Sequence, residues 1–413
     1  MHTLAQLKSG ELAGIQRLSL SAKLESLPLE ILTLADSLEI LDISNNQLRN
    51  LPVELRQLKK LKIIFASNNQ FESLPEVLGQ CENLEMVGFK SNQIKHVSGD
   101  ALPPKLRWLT LTGNQIETLP EALGQRPRLQ KLLLACNRLQ RLPQSLALCQ
   151  NLELIRISAN QLSAFPDQLL ELPKLAWLAF AGNPFSQSNI GAAAVIEVAS
   201  SSYTLQNILG EGASGLISKA TWNTAQDSFP KEVAVKIFKG VLTSDGYPQD
   251  ELRACLKAGS HPNLVQPLAQ VNEADCLALI MKLIPANYKN LGLPPSFTSC
   301  TRDTFPKEFS LPIATITKIV TQMSSVLSHL QSQQICHGDI YAHNTLVDNN
   351  GDILFGDFGA ASMYHMLTSE QQTKIQYVER RALHNFIDDL LSICAEEDRR
   401  TEQFTKLKHA RYQ

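Results

Sequence analysis

The run Cys336-His-Gly-Asp-Ile-Tyr-Ala-His-Asn344 sets a carboxylate, Asp339, five residues before a carboxamide, Asn344. A second carboxylate, Asp357, follows thirteen residues later inside Gly-Asp-Phe-Gly. Carboxylate and amide oxygens are hard donors suited to a small divalent cation, and a carboxylate left over can accept a proton from a hydroxyl. Upstream, ILGEGASGLISKA (208–220) holds Gly210, Gly212 and Gly215, residues that let a backbone come close to a phosphate. Cys336 beside His337 does not suggest a nucleophile and its base, because neighbours on an extended segment point to opposite faces.

Glycines in this spacing fit two designs: one needs a helix after them, the other a returning strand. LISKATW (216–222) reads as a strand and KEVAVKIFK (231–239) as the next, with Lys236 at its end. DELRACLKAGSHPNLV (250–265) reads as an amphipathic helix carrying Glu251. With Val233-Ala234-Val235-Lys236, His337-Gly-Asp339, Asn344 and Asp357-Phe358-Gly359 in order, residues 203–413 resemble the protein kinase family. The resemblance implies a bilobal α+β domain that transfers the γ-phosphate of ATP to a protein hydroxyl with Mg2+, serine or threonine ahead of tyrosine. Gly210, Glu211, Gly212 and Gly215 would cover the phosphates. Lys236 would hold the α and β phosphates and pair with Glu251, Asp250 being the adjacent alternative. Ile217, Ala234 and Leu346 would sandwich the adenine. Met281, Lys282 and Ile284 would line the hinge in LALIMKLIP (277–285). Asp339 would accept the hydroxyl proton, Asn344 and Asp357 would hold the metal, and His337 would be a packed support.

The chain departs from that pattern in places. Gly338 stands where the family carries an arginine that pairs with a phosphorylated loop, so activity is expected without phosphorylation at Ser362, Tyr364, Thr368, Ser369, Thr373 or Tyr377. Tyr341 stands where serine/threonine kinases usually carry lysine. No APE follows the DFG, Glu379 is a candidate for the buried acid that anchors the second lobe, and that lobe is expected to be short.

The first half repeats. In seven aligned segments from LEILDISNNQL (38–48) to LAWLAFAGNPF (175–185), the ninth residue is Asn46, Asn69, Asn92, Asn114, Asn137, Asn160 and Asn183, at intervals of 22 or 23 residues. With Leu-Pro at 51–52, 74–75, 119–120 and 142–143, this resembles the leucine-rich repeat family, an α/β solenoid in which stacking buries leucines that no single repeat can bury. IQRLSLSAKLESLP (15–28) reads as an N-terminal cap, with Lys23 near the asparagine column. The expected organisation is a repeat domain over 1–185, a Ser/Ala-rich linker over 186–202 and the kinase-like domain over 203–413, similar to bacterial-style leucine-rich-repeat protein kinases.

Strand alternation places Ile63, Met86, Trp108, Leu154 and Trp177 in one column facing out of the sheet, and Phe65 and Leu133 in the next. These residues either pack along the sheet or form a surface for a protein ligand or for docking the kinase-like domain. Ser at both tryptophans is expected to abolish partner binding and leave folding intact.

A net charge of −2 gives no footprint for nucleic acid or an anionic membrane. No apolar run is long enough for a membrane span, and the eight cysteines lack metal-ligand spacing, so a cytoplasmic protein with free thiols is expected. The absence of GxxxxGK[ST] argues against a repeat-linked GTPase. The rivals are a small-molecule kinase, since HGD followed by Asn also occurs there, and a pseudokinase scaffold whose repeats do the binding.

Overall fold

The computed structural model describes residues 2–186, 196–212, 214–224, 229–240, 242–243 and 245–410. The chain divides into two compact units, Met1–Leu175 with Asn183–Phe185, and Ala176–Gly182 with Ser186–Gln413. Part of the expected linker, 187–195, lies outside the described residues.

The first unit opens with helix α1 (Leu4–Ser9), whose start is closed by reciprocal hydrogen bonds between Thr3 and Gln6. Seven three-residue strands follow: β1 (Arg17–Ser19), β2 (Ile40–Asp42), β3 (Ile63–Phe65), β4 (Met86–Gly88), β5 (Trp108–Thr110), β6 (Lys131–Leu133) and β7 (Leu154–Arg156). Each runs parallel to the next in unbroken register. Short 3₁₀ turns on the return path start after the recurring prolines, as at Val53–Gln57 and Gln144–Leu148, because proline's fixed φ suits entry to a turn and its missing N–H is not needed there.

The asparagine column holds these turns together. Asn137 Nδ2 donates to Leu111 O at 2.9 Å and Leu134 O at 3.0 Å, while its Oδ1 accepts from Ile116 N at 3.0 Å. One amide thereby satisfies backbone groups of its own repeat and the one before. The residue ahead of each asparagine takes positive φ, from Asn45 (+59°) to Gly113 (+69°). Lys23 (+55°) takes this turn position in the cap instead of the asparagine position.

The outward column is largely closed. Ile63, Met86 and Leu154 are buried; Ile63 and Met86 are flanked in register by the strands before and after them, and Leu154 pairs with Lys131. Phe65 lies across the next strand, where a Cβ on Gly88 would come within 2.6 Å of its ring. Lys131 Nζ sits 4.1 Å from the centre of the Trp108 ring. Phe65, Trp108 and Leu133 remain half-buried.

The second unit includes β8 (Trp177–Ala179); in it β9 (Tyr203–Glu211), β10 (Gly215–Trp222), β11 (Glu232–Phe238), β12 (Pro267–Glu273) and β13 (Cys276–Lys282) form an antiparallel sheet in the order β12-β13-β11-β10-β9. Alternation along β11 sends Val233 and Val235 into a core with Ala220, Val271 and Ile280, which leaves Ala234 and Lys236 on the other face. Helix α2 (Pro248–Ala258) starts with proline and buries Glu251, Leu252, Ala254, Cys255 and Ala258 along one stripe. Helix α3 (Ile313–Ser332) buries Ile316, Ile319, Val320, Met323, Leu327 and Leu330 in the same way. β14 (Lys289–Asn290), β16 (Thr345–Val347) and β17 (Ile353–Phe355) form a small antiparallel sheet in the order β14-β16-β17, β15 (Ile335–Cys336) pairs antiparallel with β18 (Ser362–Met363), and helices α4 (Ser369–Ser392) and α5 (Glu402–Ala410) pack with α3. Among the described residues no helix is long and apolar enough to cross a membrane.

Removing one ladder amide strands several buried backbone groups. Asn137→Ala should lower unfolding free energy by about 2–4 kcal/mol in urea titration; a change within experimental error would show that the column does not carry the stacking.

Candidate active site

β9 reverses directly into β10 across the glycines, with Gly212 N donating to Gly215 O at 2.9 Å, so a strand follows them, not a helix. Gly210 and Gly212 border open space, whereas a Cβ on Gly215 would lie 2.5 Å from Ile237 O. Glu211 at the rim forms an ion pair with Lys239. Ala234 pairs with Met281 across β11 and β13, and Ile217 pairs with Lys236 across β10 and β11, so the two strand pairings fix the register of these three apolar side chains relative to the lysine. Leu346 lies in β16, Lys282 is exposed, and Ile284 is half-buried just beyond β13.

Lys236 reaches the inner stripe of α2 and forms a buried ion pair with Glu251. Burial raises the pKa of Glu251 and the Lys236 ammonium lowers it. Asp250, one residue earlier and about 100° round the helix, faces Arg253 at 3.7 Å instead.

The catalytic-type loop is built on backbone acceptors and donors. Asn344 Nδ2 donates to Asp339 Oδ2 at 2.7 Å and to Asp339 O at 3.1 Å, which turns the Asn344 carbonyl oxygen away from Asp339. Asp357 takes a left-handed conformation at φ +57° and accepts from Gly359 N at 3.3 Å. Among the described residues no group of three or more His, Cys, Asp or Glu side chains gathers as a metal cage. Two protein ligands completed by phosphates and water are what magnesium commonly accepts, so Asn344 and Asp357 fit it.

His337 is fully buried, with its ring 4.3 Å from that of Phe355 and 5.0 Å from that of Phe358. Its Nε2 lies 3.1 Å from Gly356 O. The contact joins the chain two residues before Asp339 to the residue before Asp357.

Two further acids hold the loop. Glu379, in the apolar stripe of α4, accepts from His337 N at 2.6 Å and Gly338 N at 3.3 Å. Burial pushes its carboxyl up from 4.5 to about 7, against those two hydrogen bonds. Asp303 accepts from Ala342 N, and its Oδ1 lies 2.6 Å from His343 Nδ1. Sequence reasoning had no signal for Asp303, which sits in an aperiodic stretch. His343, beside Asn344, pairs with this acid.

Gly338 has a spatial reason. Its φ is +71°, and a Cβ there would lie 2.5 Å from Leu178 O and 3.0 Å from Ala360 O. No arginine could occupy that conformation and that space. Ser362 and Tyr364 are fully buried, so of the six hydroxyls named above these two are closed to modification.

Of the two alternatives for Trp177, a protein ligand or the kinase-like domain, the structure favours docking on the kinase-like domain: it is 1% exposed and belongs to the second unit, stacked on Tyr341. Only the expectation that serine there leaves folding intact is overturned, since the side chain is buried.

Since the folded-state value of Glu379 stands above that of an exposed glutamate, folding favours the protonated acid. Its stabilisation is full below the ordinary carboxylate range and is lost as pH rises through about 7. Urea unfolding from pH 5 to pH 8 should show wild type losing stability across that span and Glu379→Gln losing less; parallel curves would place the titration elsewhere.

Residues 203–383 match the family described as protein tyrosine and serine/threonine kinase, and residues 37–58 and 127–185 match leucine-rich repeats. The tyrosine-protein kinase receptor TYRO3 of Gallus gallus is 28% identical over 162 residues, 38% of this chain and 18% of its own. Mitogen-activated protein kinase kinase kinase 3 of Arabidopsis thaliana is 36% identical over 106 residues, 26% of this chain and 14% of its own. The chain thus spans less than a fifth of either relative. A solved leucine-rich-repeat protein of Leptospira interrogans is 28% identical, covers 43% of this chain and 63% of its own, and has a TM-score of 0.26. The chain joins leucine-rich repeats to a domain of the protein tyrosine and serine/threonine kinase family.

Proposed function

We propose that the chain is an ATP- and magnesium-dependent protein kinase acting on serine or threonine hydroxyls, with its repeats as a protein-recognition or regulatory module. The observation that carries this reading is the buried Lys236–Glu251 pair together with Asp339 held by Asn344. A desolvated ion pair is costly to retain, and the pairing pre-positions an ammonium where phosphate oxygens would lie. Asp339, fixed at one carboxylate oxygen by the Asn344 amide, orients the acceptor hydroxyl and takes its proton. ATP and magnesium, when bound, supply the transferable phosphoryl group and neutralise its charge. Asn344 and Asp357 hold the metal. Gly210, Gly212 and the half-buried side chains of Ile217 and Leu346 receive the nucleotide from either side, with Ala234 and Met281 forming the back of that pocket.

Serine or threonine is the reading we favour; the loop from Ile340 to His343 lacks the tyrosine-kinase variant of this segment, and Tyr341 also replaces the lysine usual in serine/threonine kinases. Phe65, Trp108 and Leu133, the half-buried members of the outward columns, are the residues we assign to a protein ligand. The kinase match and the kinase relatives support the transfer reaction, and the repeats support a protein partner.

Intact-mass spectrometry after incubation with magnesium, ATP and a generic protein substrate should show phosphate gain with wild type and none with Asp339→Asn. The modified residue should be serine or threonine. Thermal stabilisation by ATP without transfer would favour the scaffold reading.

With Gly338 in place of an arginine, the proposed activity should not need loop phosphorylation. Phosphatase-treated protein carrying Ala at Ser369 and Thr373 and Phe at Tyr377, all exposed positions, should keep its kcat. A fall of more than about tenfold, worth 1.4 kcal/mol of barrier, would overturn this.

A further inference from the structure

Within the second unit, the segment Ala176–Gly182 lies against three parts of the catalytic machinery at once. It contains the strand Trp177–Ala179. The Trp177 ring stacks on Tyr341 with centroids 4.7 Å apart and planes 6° from parallel, and its Nε1 donates to Ile340 O at 3.1 Å. Leu178 O accepts from Cys336 Sγ at 3.6 Å and occupies the space beside Gly338. Phe180 N and Ala181 N both donate to Ser362 Oγ, at 2.9 and 3.0 Å, five residues past Asp357. Gly182, at φ +73°, backs onto the first turn of α2, where a Cβ would lie 2.7 Å from Asp250 Oδ2 and from Tyr247 Cδ2.

These seven residues touch the loop bearing Asp339, the segment after Asp357 and the helix bearing Glu251. From this geometry we infer that Ala176–Gly182 is an intramolecular brace, with Trp177 and Ser362 as positioning residues that keep the three elements in the arrangement where Glu251 meets Lys236 and Asn344 meets Asp339. The contacts suit fixed placement. Ser362 Oγ accepts from two consecutive backbone N–H groups, which fixes the segment against the chain just past Asp357. The tryptophan combines a flat stack, which sets the plane of Tyr341, with a hydrogen bond that sets its position along the loop. The Tyr341 ring also meets that of His343, tilted by 36° with centroids 4.8 Å apart, and Asp303 holds His343 and Ala342 N. The loop between Gly338 and Asn344 is therefore held by Trp177 and by Asp303. None of these brace residues touches a reacting atom; they act through Tyr341, Gly338 and α2.

The catalytic part of this inference rests on the kinase reading, so its test carries one readout that needs no activity. Full-length wild type, Trp177→Ala, Trp177→Phe and Ser362→Ala are compared by amide hydrogen exchange in 248–258 and 336–344, and by kcat and KM for ATP. Exchange in both segments should rise by about tenfold or more in Ser362→Ala and Trp177→Ala while the β9–β13 sheet stays protected. Trp177→Phe, which keeps a ring to stack, should fall between those variants and wild type. Where wild type transfers phosphate, kcat should drop roughly tenfold to a hundredfold with KM for ATP nearly unchanged, because misplacing groups by about an ångström costs rate more than nucleotide affinity. Unchanged exchange in both segments of folded Ser362→Ala overturns the brace. So does an equal rise across the whole second unit, which would show general loosening. If the tryptophan variants do not fold, Ser362→Ala, which loses a single oxygen, decides the matter. Absence of phosphate transfer in wild type defeats the kinase reading and leaves the exchange result to judge the brace.

Discussion

The second unit is organised around a constraint that neither Lys236 nor Glu251 can meet alone. Each is largely removed from water, and an unpaired charge in that position would cost several kcal/mol. The pair forms only if β11 keeps a register that turns Lys236 away from the valine core and α2 turns its buried stripe, rather than its Asp250 side, toward the sheet. Register, helix rotation and the proline start of α2 are thus tied to one interaction. That interaction leaves an ammonium held beside the strands that border the glycine turn.

The loop that follows β15 obeys the same rule with different groups. An irregular backbone inside a protein must find partners for its N–H groups. Glu379 takes those of His337 and Gly338, and Asp303 takes that of Ala342. Each supplies carboxylate oxygens from a stretch far away in sequence, so the loop's backbone is held without strand pairing. The repeats solve their version of the problem by iteration, each asparagine serving two neighbouring turns. In both units a polar side chain repays its burial by satisfying backbone that has no other partner.

Gly338 shows how a departure from a family pattern can be a consequence of packing. Read alone, the missing arginine suggests a lost regulatory contact. In the fold, the carbonyl of Leu178 fills the place a side chain would need, and the positive φ favours glycine independently. Tyr341 is explained alongside it, since a flat ring is what stacks on Trp177. Two substitutions three residues apart thus answer to one neighbouring segment.

The sequence by itself determined the repeat length, the asparagine column and the strand that returns after the glycines, because local periodicity and short spacings fix these. It pointed to Lys236, Glu251, Asp339, Asn344 and Asp357, and to Glu379 as the acid anchoring the second lobe, only through the resemblance to the protein kinase family. Of their contacts the structure shows Lys236 beside Glu251, Asn344 on Asp339 and Glu379 on the backbone of His337 and Gly338. Only the tertiary structure decided that Trp177 is buried against Tyr341 instead of facing solvent, that Ile63, Met86 and Leu154 are closed columns, that Asp303 holds His343, and that 176–182 folds with the second unit. The contacts of Asp303 with His343, Trp177 with Ile340 and Phe180 with Ser362 join residues 40, 163 and 182 positions apart. Strand alternation says which face a side chain leaves from, and it carries no information about what will cover that face.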